Sequence, residues 1–280
     1  VSEALLQKHA LAKFGAWNTK SPLSTKPQVT QLLNQGSGHT SMLVTADSAT
    51  GHDSFVLRYR THQSPSLGLS FKQEVACMEL AQAQGLAPEV VWLDEEYQSM
   101  VLEFLYEPGS VSREELANLT KSIHRLPPEM PTINLQHQIE HYWQIANERG
   151  NSASNLISPS EPALGAAIKA LESELPVTCH NDLTPPNIRR RNRDLVAIDW
   201  EYAATGSPHF EVATLCAGWP SMNTQSLATA ILGDRLSKPL LHIATDLYAA
   251  LNWNWHLAAG ETFGGEQSPK SLIQRLAAHL

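Results

Sequence analysis

Two textures of hydrophobic patterning divide the chain. Up to Leu105, apolar residues fall in short runs and alternations, so Val29–Leu33, Thr40–Ala46, Ser54–Arg60, Glu89–Leu93 and Ser99–Leu105 read as strands. The turn-like Asp47–Asp53 segment, with Gly51, joins the second to the third. Ser70 opens a helix in their midst, with Gln73 placed for a capping box and Gly85 placed to end it. After Pro108-Gly109 helical spacing takes over. Ser112-x-x-Glu115 is a second capping box, and Arg113–Arg125, Gln136–Arg149 and Glu161–Glu174 read as helices, the last with Pro162 in its first turn. β-Branched runs return between Val177 and Trp200, and past Pro208 the chain is helical to Leu280 with a break at Pro220. The first fifteen residues set Glu3, Gln7, Lys8, His9 and Lys13 among apolar positions, an amphipathic helix rather than a signal peptide. A strand-rich third followed by a helix-rich remainder predicts an α+β chain in two domains, 1–105 and 106–280, meeting near Glu103–Pro108.

Composition narrows the function classes. Apolar residues make up 42% of the 280, enough for a real core, yet no window nears the ~18–20 uninterrupted apolar residues of a membrane helix. Cys77, Cys179 and Cys216 are widely spaced in apolar surroundings and read as buried thiols of a reducing compartment, which places the chain in the cytoplasm. The formal charge of −8 argues against a general nucleic-acid binder. The basic run Arg189-Arg190-Arg191-Asn192-Arg193 then reads as a charged hairpin tip. His137-Gln138-Ile139-Glu140-His141 spells an inverted zinc-protease motif, but with twelve histidines in the chain and no further acidic ligand motif downstream it reads as a solvated helix face.

The chemistry concentrates in His180-Asn181-Asp182-Leu183-Thr184-Pro185-Pro186-Asn187-Ile188, followed by Leu195–Glu201. Pro185 and Pro186 forbid a helix between Asp182 and Asn187 and hold a stiff loop. Asn187–Arg190 and Leu195–Asp199 pair as a hairpin turning at Asn192–Arg193, which sets Asn187 and Asp199 at its open end. Paired strands run about 5 Å apart, so an amide oxygen and a carboxylate there can share a divalent cation, and Asp182 faces the same point. Phosphoryl transfer needs that set: a carboxylate to take the acceptor's proton and oxygen ligands for magnesium on the phosphates. The alternative is that Asp182 and Asn187 are turn residues and Asp199 caps a helix.

The pattern His180-x-Asp182-x-x-x-x-Asn187, with Ile198-Asp199-Trp200-Glu201-Tyr202-Ala203 after it, resembles the aminoglycoside phosphotransferase and choline kinase superfamily of protein-kinase-like enzymes. Within that superfamily the second motif looks most like the choline kinase and thiamine kinase branch. The resemblance implies a bilobal protein-kinase-like fold, with a small strand-rich N-lobe, a larger helical C-lobe and ATP between them. It implies Asp182 as catalytic base, Asn187 and Asp199 as Mg2+ ligands, and His180 as a structural support of the loop.

Other segments fall where such a fold needs them. Gly36, Ser37 and Gly38 sit between two predicted strands, where the family has a loop over the ATP phosphates. Arg58 takes the place of the usual strand lysine, with Glu74 as partner and Glu79 as fallback. Backbone groups near Glu103–Leu105 would meet the adenine, His124 packs in the core, and Glu211 anchors the catalytic loop. For a choline- or thiamine-like acceptor the candidates are Glu201, Trp219, Trp253 and Trp255. The two last lie about 200° apart on a helix, so at most one lines a cleft. The reading is an ATP- and Mg2+-dependent kinase for a small hydroxyl-bearing molecule. Its rivals are an aminoglycoside-type antibiotic phosphotransferase and a nucleotide-binding pseudokinase acting as an interaction module.

Overall fold

The computed structural model describes residues 2–35, 38–61, 68–261 and 268–280. Packing divides the chain into two compact units, Val1–Pro108 with Arg189–Glu201, and Gly109–Ile188 with Tyr202–Leu280. The break at Pro108 closes the predicted boundary region. The segment 189–201, read from sequence with the C-terminal domain, packs instead with the first unit. Its side chains explain why. Arg191 donates to Glu103 Oε2 (2.5 Å) and to the Gly85 and Ala87 carbonyls, the Ala197 amide donates to Leu86 O, and Tyr106 bridges to Arg190.

The first unit is an antiparallel five-stranded sheet in the order β1 (Gln28–Gln35), β2 (His39–Ser48), β3 (Gly51–Arg60), β5 (Ser99–Glu103), β4 (Val90–Asp94). Helix α1 (Glu3–Ala12) buries Leu6 and Ala10 in a core shared with Trp17, Phe55, Leu57 and Tyr59. Helix α2 (Phe71–Gln82) starts at Ser70, whose hydroxyl accepts the Gln73 amide, and buries Glu74 beside Val75 and Met78. A buried carboxylate in a row of apolar residues needs a cationic partner.

In the second unit a long helix, α8 (Lys238–Ala259), shares one core with α4 (Leu135–Glu148), α5 (Pro162–Glu172), α6 (Pro208–Gly218) and α9 (Pro269–Ala278). Helix α3 (Arg113–His124) opens with the predicted capping box of Ser112 and Glu115, and α7 (Thr224–Leu232) packs on it. A two-stranded sheet of β6 (Val177–Cys179) and β9 (Ala204–Gly206) frames the segment that carries the motifs. No described helix is long and apolar enough to cross a membrane.

Two local expectations change. The prolines do not exclude helical geometry: Pro185–Asn187 forms a single 3-10 turn with its prolines in the first positions, where a fixed φ suits the turn and no N–H is required. The ribbon pairs β7 (Ile188–Arg191) with β8 (Asp194–Ala197), so Asn187 and Asp199 lie just beyond its ends rather than in the strands. Asp199 takes φ +67°, a left-handed conformation that Asp tolerates better than most residues. All three cysteines are free; Cys77 and Cys179 are buried and Cys216 is half-buried.

Candidate active site

Within the first unit, β3 and α2 set up an ion-pair cluster. Arg58 donates through Nη1 to Glu74, and through Nη2 to His39 Nδ1 (2.9 Å) and Asp199 Oδ1 (2.5 Å), while Arg60 bonds the other Glu74 oxygen at 3.0 Å. Glu79 is exposed, so Glu74 is the partner. Burial alone would lower the Arg58 pKa, but Asp199, Glu74 and Glu201 outweigh it and raise it. Glu201 lies 3.7 Å from both Arg58 Nη2 and His39 Nδ1, and its pKa is raised by burial and by neighbouring Asp199. Gly38 allows that approach, since a Cβ there would stand 3.0 Å from a Glu201 oxygen. Gly36 and Ser37 lie outside the described residues. Leu105 is buried, and the Glu103 amide is committed to Glu89 O at 2.9 Å and its carboxylate to Arg191, so Glu103 has no amide left for adenine.

Within the second unit, β6 leads directly into the loop 180–187. His180 is fully buried, and its Nδ1 accepts the Asp182 amide at 3.3 Å, which fixes the base of the loop as its structural reading requires. Glu211 of α6 accepts the Asn181 amide at 2.8 Å and holds the loop from below. Burial pushes the Glu211 pKa up to about 7, against the opposing effect of the Asn181 and His180 amides and the Cys179 thiol. His124 shares that pocket: one nitrogen of its ring, the Cys179 sulfur and a Glu211 oxygen lie within 4.8 Å of one another, and burial drives the His124 pKa down to about 4. Asn187 Nδ2 donates to Asp182 Oδ2 (2.6 Å) and Asp182 O (3.0 Å). With both amide hydrogens spent, the remaining capacity of Asn187 is its Oδ1. That oxygen in the second unit, and the Asp199 carboxylate in the first, are each hard donors of the kind Mg2+ takes.

A cleft of about 360 Å³ opens on the second unit, with Asp182 and Thr184 from the loop and residues of α4, α6 and α8 in its walls. Its aromatic lining is Tyr142, Tyr202, Phe210, Tyr248 and Trp255. Trp255 donates from Nε1 to the Tyr202 hydroxyl at 3.1 Å. The Tyr248 pKa is raised to about 12 by burial and by the Asp182 charge, which places its ring in the field of that carboxylate. Of the acceptor candidates, Trp255 alone is in this lining. Trp253 points into the helical core with its Nε1 on Asn155 O (2.7 Å), as its opposite helix face requires. Trp219 donates to Leu183 O (2.8 Å) and supports the loop, and Glu201 belongs to the arginine cluster. Sequence reasoning missed Tyr202, next to Glu201 in its motif, and the α8 stripe of Tyr248, Asn252 and His256, whose four-residue spacing was legible.

The histidine pair of α4 and the basic run 189–193 both make structural contacts. The rings of His137 and His141 stack at 5.9 Å on α4. Arg189 pairs with Glu107 at 3.3 Å, and Arg190 bonds the Pro108 and Arg193 carbonyls.

A profile of the phosphotransferase enzyme family matches residues 29–263. The "Protein LicA homolog" of Mycoplasma capricolum is 30% identical over 100 residues, a stretch covering 36% of this chain and 41% of that protein. Among solved structures, choline kinase LicA from Streptococcus pneumoniae superposes with a TM-score of 0.70 at 16% identity, covering 98% of each chain. A LicA complex with AMP gives a TM-score of 0.70 at 18% identity, over 100% of this chain and 98% of that one. The matched profile spans most of the chain, and the chain therefore belongs to the phosphotransferase enzyme family.

Proposed function

We propose that this phosphotransferase is a small-molecule kinase that moves the γ-phosphate of ATP onto the hydroxyl of a monocationic, choline- or thiamine-like alcohol. The observation that carries the reading is the cleft: among the described residues, five aromatic side chains share its lining with one carboxylate, Asp182. Aromatic faces attract a fixed cation by ~0.5–2 kcal/mol each, so several rings with one carboxylate suit one positive charge. An aminoglycoside-type polycation needs several carboxylates, and among the described residues Asp182 is the one in this lining. The choline kinase neighbours and the nucleotide in the LicA complex agree with this reading.

In this mechanism Asp182 accepts the acceptor's proton as its oxygen attacks the γ-phosphorus. The bond from phosphorus to the bridging oxygen breaks in line and ADP leaves; no phosphoenzyme forms. The Asn187 amide donates to Asp182 Oδ2 and orients the carboxylate. Tyr248, held protonated, adds a neutral donor beside it. Asn187 and Asp199 would hold Mg2+, which supplies neutralisation of phosphate charge. Arg58, kept in place by Glu74, and the 36–38 loop would position the phosphates, with the segment to Leu105 near the base.

The test is acceptor-dependent ADP release over choline, ethanolamine, thiamine, sugars and aminoglycosides, with 31P NMR of the product. Cationic alcohols give phosphate monoesters, and Asp182→Asn lowers kcat by about 10²–10⁴ with ATP affinity retained. Preference for aminoglycosides, or full turnover by Asp182→Asn, refutes the assignment. Nucleotide binding without any turnover would instead make the protein a pseudokinase.

A further inference from the structure

Three elements of the second unit bring a set of metal-type donors to one buried point. His124 ends α3, Cys179 ends β6, and Glu211 lies in the first turn of α6. They stand far apart in the chain, so no spacing motif announces them. One His124 ring nitrogen, the Cys179 sulfur and a Glu211 oxygen lie within 4.8 Å of one another. Cys179 and Glu211 are completely buried.

Hydrogen bonding within the protein does not satisfy this trio. His124 Nε2 and Glu211 Oε1 are buried and, among the described residues, have no hydrogen-bond partner. Glu211 Oε2 is occupied by the Asn181 amide at 2.8 Å. The single thiol hydrogen of Cys179 faces Val177 O at 3.6 Å and Ser207 O at 3.7 Å as well as the Glu211 carboxyl, and it serves one acceptor at a time. Buried polar atoms left open in this way point to a ligand.

The donor types choose that ligand. Thiolate, imidazole and carboxylate together suit zinc, whereas Mg2+ and Ca2+ take oxygen donors. A tetrahedral zinc ion sets such donors about 3.3–3.6 Å apart, so the widest gap here closes by about 1 Å. Burial holds the His124 ring neutral, the form that binds a metal. It also pushes the Cys179 and Glu211 pKa values up, so the ion must displace both protons to solvent. With both gone, a thiolate and a carboxylate cancel the charge of a divalent cation, and the buried site is neutral as a whole.

We infer that His124, Cys179 and Glu211 form a structural zinc site that joins α3, β6 and α6 beneath the loop 180–187. The ion holds Glu211, and through it the Asn181 amide, in place. The site stands independently of the acceptor and of whether the chain turns ATP over.

The test uses the whole chain without a histidine tag, produced in zinc-supplemented medium, desalted and assayed for metal. It should carry about one zinc ion per chain and melt at a higher temperature than zinc-starved protein. Production with Co2+ in place of zinc should give a thiolate-to-cobalt charge-transfer band, which a site of oxygen and nitrogen donors cannot show. Cys179→Ala and His124→Ala should each lower the zinc content at least 10-fold, and Cys179→Ala should abolish the band. Cys77→Ala/Cys216→Ala should keep it, which assigns the band to Cys179 even if Cys179→Ala does not fold. Wild-type protein without zinc overturns the site. Zinc with no cobalt band puts the ion on other donors, and overturns it equally. So does a band that survives in a Cys179→Ala chain melting like the wild type.

Discussion

Arg58 has one guanidinium and contacts to Glu74, His39 and Asp199. A lysine at this position would offer one ammonium, unable to reach the same partners in a fixed plane. Arg58→Lys should therefore lower kcat/KM by about 10–100-fold through ATP, with the acceptor KM little changed, as initial-rate kinetics in both substrates would show. Glu74 has the opposite problem, since its removal strands two buried arginines, Arg58 and Arg60. Glu74→Ala should cost about 3–5 kcal/mol in urea unfolding. Glu74 was legible as a partner from α2 spacing, but its second arginine was not. Arg60 reads as the polar end of a strand, and only the register of β3 brings it to the same carboxylate.

Glu211 of α6 holds the loop 180–187, and it titrates in the opposite sense to His124 beside it. Glu211 on α6 has its pKa raised to about 7, so it favours the protonated fold, and its contribution is lost as pH rises from the ordinary carboxylate range through 7. His124 at the end of α3 has its pKa lowered to about 4, so it favours the neutral ring, and its contribution is lost as pH falls from about 6.5 through 4. The two slopes nearly cancel between pH 4 and 7. Relative to the wild type, Glu211→Gln should make stability climb with pH in that window, and His124→Asn should make it fall, each by an order of 3 kcal/mol over the range. Chemical denaturation at a series of pH values reads the difference; parallel curves for all three proteins would refute it. The ribbon β7–β8 shows the limit of reading elements singly. Its turn and strands follow from the pattern, yet the arginines of β7, which look like a solvated tip, tie it to Glu103, Glu107 and the 85–87 backbone. Arg191→Ala should loosen that attachment by about 1–3 kcal/mol, seen as faster amide exchange at Ala197, whose N–H is on Leu86 O.

A kinase of this family should gain stability from its nucleotide by mass action. ATP with Mg2+ at 100 times its Kd should add about 2.7 kcal/mol, and Asp199→Ala should abolish most of the magnesium-dependent part, measured by thermal melts with and without EDTA. The sequence by itself determined most of the elements, through period-2 and period-3.6 patterns and the N-caps at Ser70 and Ser112, and it singled out Asp182, Asn187 and Asp199 as candidates. These are local properties, carried by backbone propensity and by residues close in the chain. The tertiary structure alone decided that residues 189–201 pack with the first unit, that Trp255 rather than Trp253 or Trp219 faces the cleft, and that three tyrosines join it there. Those outcomes depend on which faces of α4, α6 and α8 meet, and on contacts such as Trp255 to Tyr202, 53 residues apart. Helical periodicity says that a face is buried or open; it does not say against what.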